Sequence, residues 1–102
     1  MGLLDMIKGP DFDKLLEQAK QVPNAWIIDV RTREEYQSGH VPGAKNIPLD
    51  EISGFSAEKE TPLYLYCRSG ARSSRACSEL KGKGYHSVVN MGGILAYHGP
   101  KE

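Results

Sequence analysis

Apolar positions along this chain come in two rhythms. In "PDFDKLLEQAKQV", Phe12, Leu15, Leu16 and Ala19 fall on one face at helical spacing, with Pro10 and Asp11 near the start, and predict a first helix. "AWIIDV" (25–30) is instead an unbroken apolar run bounded by Pro23-Asn24, as in a strand buried on both faces. It ends at Asp29-Val30-Arg31, where charge enters abruptly. Thr32 with Glu35 three residues on is a capping-box pattern, so a short helix "REEYQS" should follow and stop at Gly39.

The turn-rich "GHVPGAKNIPL", with Pro42-Gly43 suited to a type II turn, leads into a short strand near 44–47. "LDEISGF" suggests a helical turn and "PLYLYC" the next strand. "SSRACSELKGKG" reads as a helix with a Glu79–Lys83 (i, i+4) pair and two candidate stops, Gly82 and Gly84. "HSVVNM" is a last strand, Gly92-Gly93 a tight turn out of it, and "ILAYHG" a short final helix. Strands alternating with helices predict an α/β domain whose mainly parallel sheet is covered on both faces. Ligands of such sheets bind beyond the carboxyl ends of the strands, and Cys67 stands at such an end.

Composition narrows the partners more than the fold. At 102 residues, one domain over 1–102 with a single modest core is expected. Thirteen basic against thirteen acidic side chains leave no net charge, which argues against a nucleic-acid partner and makes any positive field local. No apolar run approaches the ~20 residues of a membrane span. The opening "MGLLDMIKGPDFD" lacks a signal-type apolar core, and Met6 weakens an acylation reading of Gly2, so a cytoplasmic protein without membrane association is expected. Cys67 and Cys77, ten apart and without histidines at zinc-finger spacing, make neither a disulfide framework nor a structural metal site.

The chemistry concentrates in "CRSGARS". Gly70 permits a tight arc, and the short residues at 69–71 let peptide N–H groups turn inward. Ser73 or Ser74 offers a cap for the next helix, whose N-terminus carries partial positive charge, and Arg68 and Arg72 add full charges. These features describe an anion cradle with a thiol at its base. Such surroundings can lower a cysteine pKa from ~8.5 to about 3.5–7.5, giving a nucleophilic thiolate without a histidine base.

Three stretches together resemble the rhodanese (thiosulfate sulfurtransferase) family. They are "YCRSGARSSRA", "IDVRTREEYQSGHVPGAKNIPL" and "VVNMGGILAY", in family order over residues 25–100. The resemblance implies a three-layer α/β sandwich and a double displacement through a Cys67 persulfide. Thiosulfate, or a persulfide or polysulfide, would be the anionic donor; cyanide or a thiol, a protein thiol included, would be the acceptor. Residues 68–72 (Arg68, Ser69, Gly70, Ala71 and Arg72) would hold the substrate, the two arginines attracting the anion. The resemblance implies neither a metal nor an organic cofactor.

Two other functions fit parts of the pattern: a rhodanese-like module that binds or regulates without turnover, and a cysteine phosphatase. The phosphatase loop resembles C-x5-R, and only four residues separate Cys67 from Arg72, a ring better suited to one sulfur atom than to a phosphate. In the resembling family Asp29 and Arg31 brace loops. Glu35 is expected to serve the Thr32 cap and His40 to be a hydrogen-bonded turn residue, with His86 and His98 on the surface. Cys77 reads as a buried helical position, its sharper alternative being a resolving thiol for Cys67. Tyr97 stands where members of that family often carry Trp.

Overall fold

The computed structural model describes residues 10–102. The readings of Gly2 and of the apolar positions before Pro10 lie outside the described residues. Helix α1 (Phe12–Gln21) begins at Asp11, whose carboxylate accepts the N–H of Lys14, and buries Phe12, Leu16 and Ala19. After strand β1 (Trp26–Asp29), Thr32 and Glu35 form a reciprocal capping box that starts helix α2 (Arg33–Gln37). Ala44 N–H bonds to the Val41 carbonyl across the Pro42-Gly43 turn, where Gly43 takes the positive φ (+88°) of a type II turn. Strand β2 (Lys45–Asn46), a 3-10 segment (Leu49–Gly54) and strand β3 (Leu63–Cys67) follow.

Helix α3 (Ala71–Gly82) starts two residues before the predicted point and buries Ser73, Ala76, Cys77 and Leu80 at one-face spacing. It closes in a Schellman motif: Gly84 holds φ +99°, Tyr85 N–H bonds to the Leu80 carbonyl and Gly84 N–H to the Lys81 carbonyl. Among the described residues the expected Glu79–Lys83 ion pair is absent. Lys83 is the C-cap, and its ammonium bonds to the Ser53 carbonyl instead. Strand β4 (Val88–Gly93) also differs from expectation, because Gly92 and Gly93 are not a turn but its last two residues. They pair with Tyr66 and Cys67 after a bulge at Met91. A single 3-10 turn, Ile94–Ala96, follows.

The four strands are all parallel, in the order β2-β1-β3-β4. Strand β3 carries the pleat of both cores. Leu63, Leu65 and Cys67 face α3 and the first 3-10 segment with Ile28, Ile52 and Leu80, whereas Tyr64 and Tyr66 face α1 with Phe12, Leu16 and Met91. Helices therefore cover both faces, as expected. The chain leaves β1 for β2 on one side and returns to β3 on the other, so the strand order reverses between β1 and β3. Beyond their carboxyl ends is the crevice where such sheets take ligands.

One wall of that crevice is a buried ion pair. Arg31 Nε lies 3.0 Å from both Asp29 oxygens and its Nη2 lies 2.6 Å from Oδ2, with Asp29 fully buried and Arg31 5% exposed. Arg31 also donates to the Gly39 carbonyl, and the Asn46 carboxamide donates to the carbonyls of Asp29 and Arg31. Three loops are joined in this way. His40 is part of the same bracing, stacked on Tyr36 at 3.7 Å between ring centres with Nδ1 2.9 Å from the Tyr36 carbonyl. Replacing Arg31 by Met should leave Asp29 buried without its partner and lower stability by about 3–5 kcal/mol. Urea unfolding measures this as a lower midpoint at unchanged slope.

Candidate active site

Cys67 ends the central strand β3, and four residues later the chain is already helical. The turn between them requires Gly70, which sits at the N-cap of α3 with φ +110° and offers no side-chain cap. The missing cap is supplied by sulfur. Gly70 N–H donates to Cys67 Sγ at 3.0 Å and Ser73 N–H at 3.3 Å, so the thiol takes two donors that a helix start otherwise leaves unpaired. Neither Ser73 nor Ser74 caps the helix, contrary to expectation.

Ser73 has a different place. Its buried hydroxyl lies 3.4 Å from Cys67 Sγ, 2.7 Å from Asn90 Oδ1 and 3.1 Å from the Gly70 carbonyl. Asn90 Oδ1 also accepts Gly92 N–H at 2.9 Å, which pins the carboxamide. A serine hydroxyl has one proton, and an ionised sulfur can only accept. When Cys67 is ionised, any hydrogen bond between the two must be donated by Ser73, whose one proton is then taken from its carboxamide or carbonyl acceptor.

Cys67 is 1% exposed and Cys77 5%, both in the core facing α3, yet their thiols shift oppositely. Burial pushes Cys67 up, but the Ser73 hydroxyl and the amides of Ser73, Gly70 and Ser69 outweigh it, and the net shift is below the ordinary thiol value. Burial pushes Cys77 up to about 11, with Lys81 opposing it weakly. Hydrogen-bond donors are thus the main influence lowering the Cys67 pKa, and Arg72 interacts with the sulfur through charge as well.

The expected loop residues are together but not alike. Arg68 is exposed, and its carbonyl accepts Leu95 N–H. Ser69 and Ala71 are exposed on the arc around Gly70. Arg72 does not extend freely into solvent: Nη1 and Nη2 fork onto Glu35 at 2.7 and 2.9 Å. That fork holds the Glu35 carboxyl at about 2, with the Thr32 contacts adding to the lowering. Arg72 also lines an open groove of about 540 Å³ with Val30, Thr32, Pro48, Leu49 and Arg75.

Three contributors were missed in the sequence: the hydroxyl role of Ser73, the carboxamide of Asn90, and Gly93. A Cβ at Gly93 would overlap the Arg68 carbonyl and the Ser69 Cα, so only glycine lets the loop lie against the strand. The "NMGG" string was the available signal for the last two.

Residues 10–99 match the family model of the rhodanese-like domain. A sulfurtransferase of Allochromatium vinosum is 35% identical over 95 residues, covering 90% of this chain and 89% of that one. The thiosulfate sulfurtransferase PspE of Escherichia coli is 41% identical over 78 residues, 72% of this chain and 75% of that one. Among solved structures, a rhodanese with anions from E. coli superimposes with a TM-score of 0.69 at 38% identity, over 76% of this chain and 96% of that chain.

Ultraviolet thiolate absorbance should resolve two ionisations, Cys67 below the ordinary thiol value and Cys77 toward about 11. Ser73→Ala should raise the first step and leave the second in place. A single step at the ordinary value in the unsubstituted protein would contradict the arrangement.

Proposed function

The chain belongs to the rhodanese-like family, and on that premise we propose that it is a sulfurtransferase carrying sulfane sulfur on Cys67. The observation behind this reading is the environment of Sγ: a buried sulfur at the carboxyl end of the central strand, capped by two peptide N–H groups and a hydroxyl, with a lowered pKa.

The Cys67 thiolate attacks the outer sulfur of thiosulfate. The bond between the two donor sulfurs breaks, its electron pair leaves with sulfite, and a Cys67 persulfide remains. An acceptor nucleophile then attacks the terminal sulfur. Cyanide becomes thiocyanate, or a thiolate becomes a persulfide, and the Cys67 thiolate is restored. The two half-reactions balance without an external oxidant or reductant. Gly70 and Ser73 N–H groups hold the inner sulfur, and the remaining amides of the arc are offered to the outer one. The loop suits any small anionic sulfane donor, and thiosulfate is the simplest probe.

Thiocyanate production from thiosulfate and cyanide tests the reading. Cys67→Ser should lower kcat/KM by at least about 10³-fold, as expected for loss of a nucleophile. Intact mass spectrometry should find one added sulfur atom after thiosulfate in the unsubstituted protein and none in Cys67→Ser. Equal rates in the two proteins, or no sulfur adduct, would sink the proposal and favour a module that binds without turnover.

A further inference from the structure

Arginine is plentiful at the carboxyl end of this sheet, and carboxylates pair with three of the five in the chain. Arg31 is forked by Asp29, Arg33 by Glu51 at 2.7 and 2.9 Å, and Arg72 by Glu35 at 2.7 and 2.9 Å. The groove beside Arg72 repeats the pattern, with Asp50 and Glu79 facing it along with Arg72 and Arg75. Among the described residues, no carboxylate lies within ion-pair distance of Arg68. One arginine of the loop is therefore charge-matched and the other is exposed.

The Glu35–Arg72 fork differs from an ordinary surface pair. Both side chains are about two-thirds buried, with exposures of 28% and 34%, and the geometry is bidentate. Glu35 is also held from its other side, since Oε1 accepts Thr32 N–H at 2.9 Å as part of the α2 cap. The carboxylate is thus built into the start of one helix and clasps the second residue of the next. It is ionised throughout the neutral range, as glutamates ordinarily are, and the Arg72 fork lowers its pKa further, to about 2.

We propose that Glu35 is a charge-masking positioning residue: through its fork with Arg72 it weakens the attraction of the Cys67 loop for dianions and biases the site toward sulfur donors carrying less negative charge, such as singly charged or neutral persulfides. This rests on the sulfurtransferase reading for the identity of the donors, but not for the masking itself. Coulomb's law supplies the direction. A cation whose counter-charge sits within 3 Å presents mainly a dipole to an approaching anion, and a dipole field falls off faster than that of a bare charge.

Glu35→Gln is the informative substitution, because the amide oxygen can still accept Thr32 N–H or an Arg72 N–H while the charge is gone. Two readouts are needed. The first is the rate of Cys67 alkylation by iodoacetate relative to iodoacetamide, reagents of similar size that differ by one negative charge. Glu35→Gln should raise that ratio about 3- to 10-fold at low ionic strength, and salt should erase the gain. The second is thiosulfate kinetics, where KM should fall by a similar factor while kcat changes less than about 2-fold. Arg72→Gln, which strands the carboxylate, should move both readouts the opposite way. Because Arg72→Gln removes a cation whether or not it is masked, Glu35→Ala is the second variant if Glu35→Gln fails to fold, with the same rise in the alkylation ratio expected. An alkylation ratio equal to that of the unsubstituted protein in the folded variants overturns the masking. A shifted ratio in a protein that turns over neither thiosulfate nor a singly charged organic persulfide overturns the sulfurtransferase reading instead.

Discussion

A sulfur atom in this protein occupies the position that a serine or aspartate side chain usually takes at a helix start. Cys67 Sγ accepts the N–H groups of Gly70 and Ser73, and α3 has no other side-chain cap. Much of the neighbourhood follows from that substitution. Strand β3 must end where the sulfur can reach the first turn, Gly70 must adopt a left-handed conformation, and Gly93 must lack a side chain so that the arc can lie flat against β4. The stability of the helix start and the reactivity of the thiol are one interaction seen from two sides. A group that removes the negative charge from the sulfur also weakens the cap.

Peptide N–H groups aimed at the sulfur give the site a positive character separate from that of its formal charges. Asp29, Glu35 and Glu51 each pair with an arginine at short range, while Arg68 and Arg75 stand outside these ion pairs. Backbone donors suit a buried thiolate for a physical reason: they are aimed at a point and their influence fades quickly with distance. They can stabilise charge on one buried atom without making the surface around it a general trap for anions.

Elements whose information is local were legible in the chain. The Thr32–Glu35 capping box, the Pro42-Gly43 turn and the alternation of β3 depend on residues within a few positions of one another, and the structure contains each of them. The start of α3 was misplaced because serine is so strong a capping residue that "SSRA" suggested a cap, whereas Ser73 is already inside the first turn and buried. Glu35 was read for its neighbour Thr32, and nothing local could reveal a partner 37 positions away. The Glu79–Lys83 spacing was favourable, and Lys83 N–H still bonds to the Glu79 carbonyl, but its ammonium goes to the Ser53 carbonyl, 30 positions away. Asn90 was invisible for a similar reason, since its carboxamide matters only once β4 lies beside the loop.

The bulge at Met91 has a geometric consequence for the whole site. In a regular strand, positions three apart point to opposite sides. Asn90 pairs with Leu65 and Gly93 with Cys67, residues that share one face, so the extra residue at Met91 has slipped the phase of β4 by one. Met91 itself joins the α1 core, and Gly92 turns the same way, toward Pro10. Two positions of opposite parity thereby address the same loop, one offering an oxygen to Ser73 and the other an empty space for the Arg68 carbonyl. Deleting one residue between Val89 and Gly92 would restore perfect alternation and, by doing so, take the site apart.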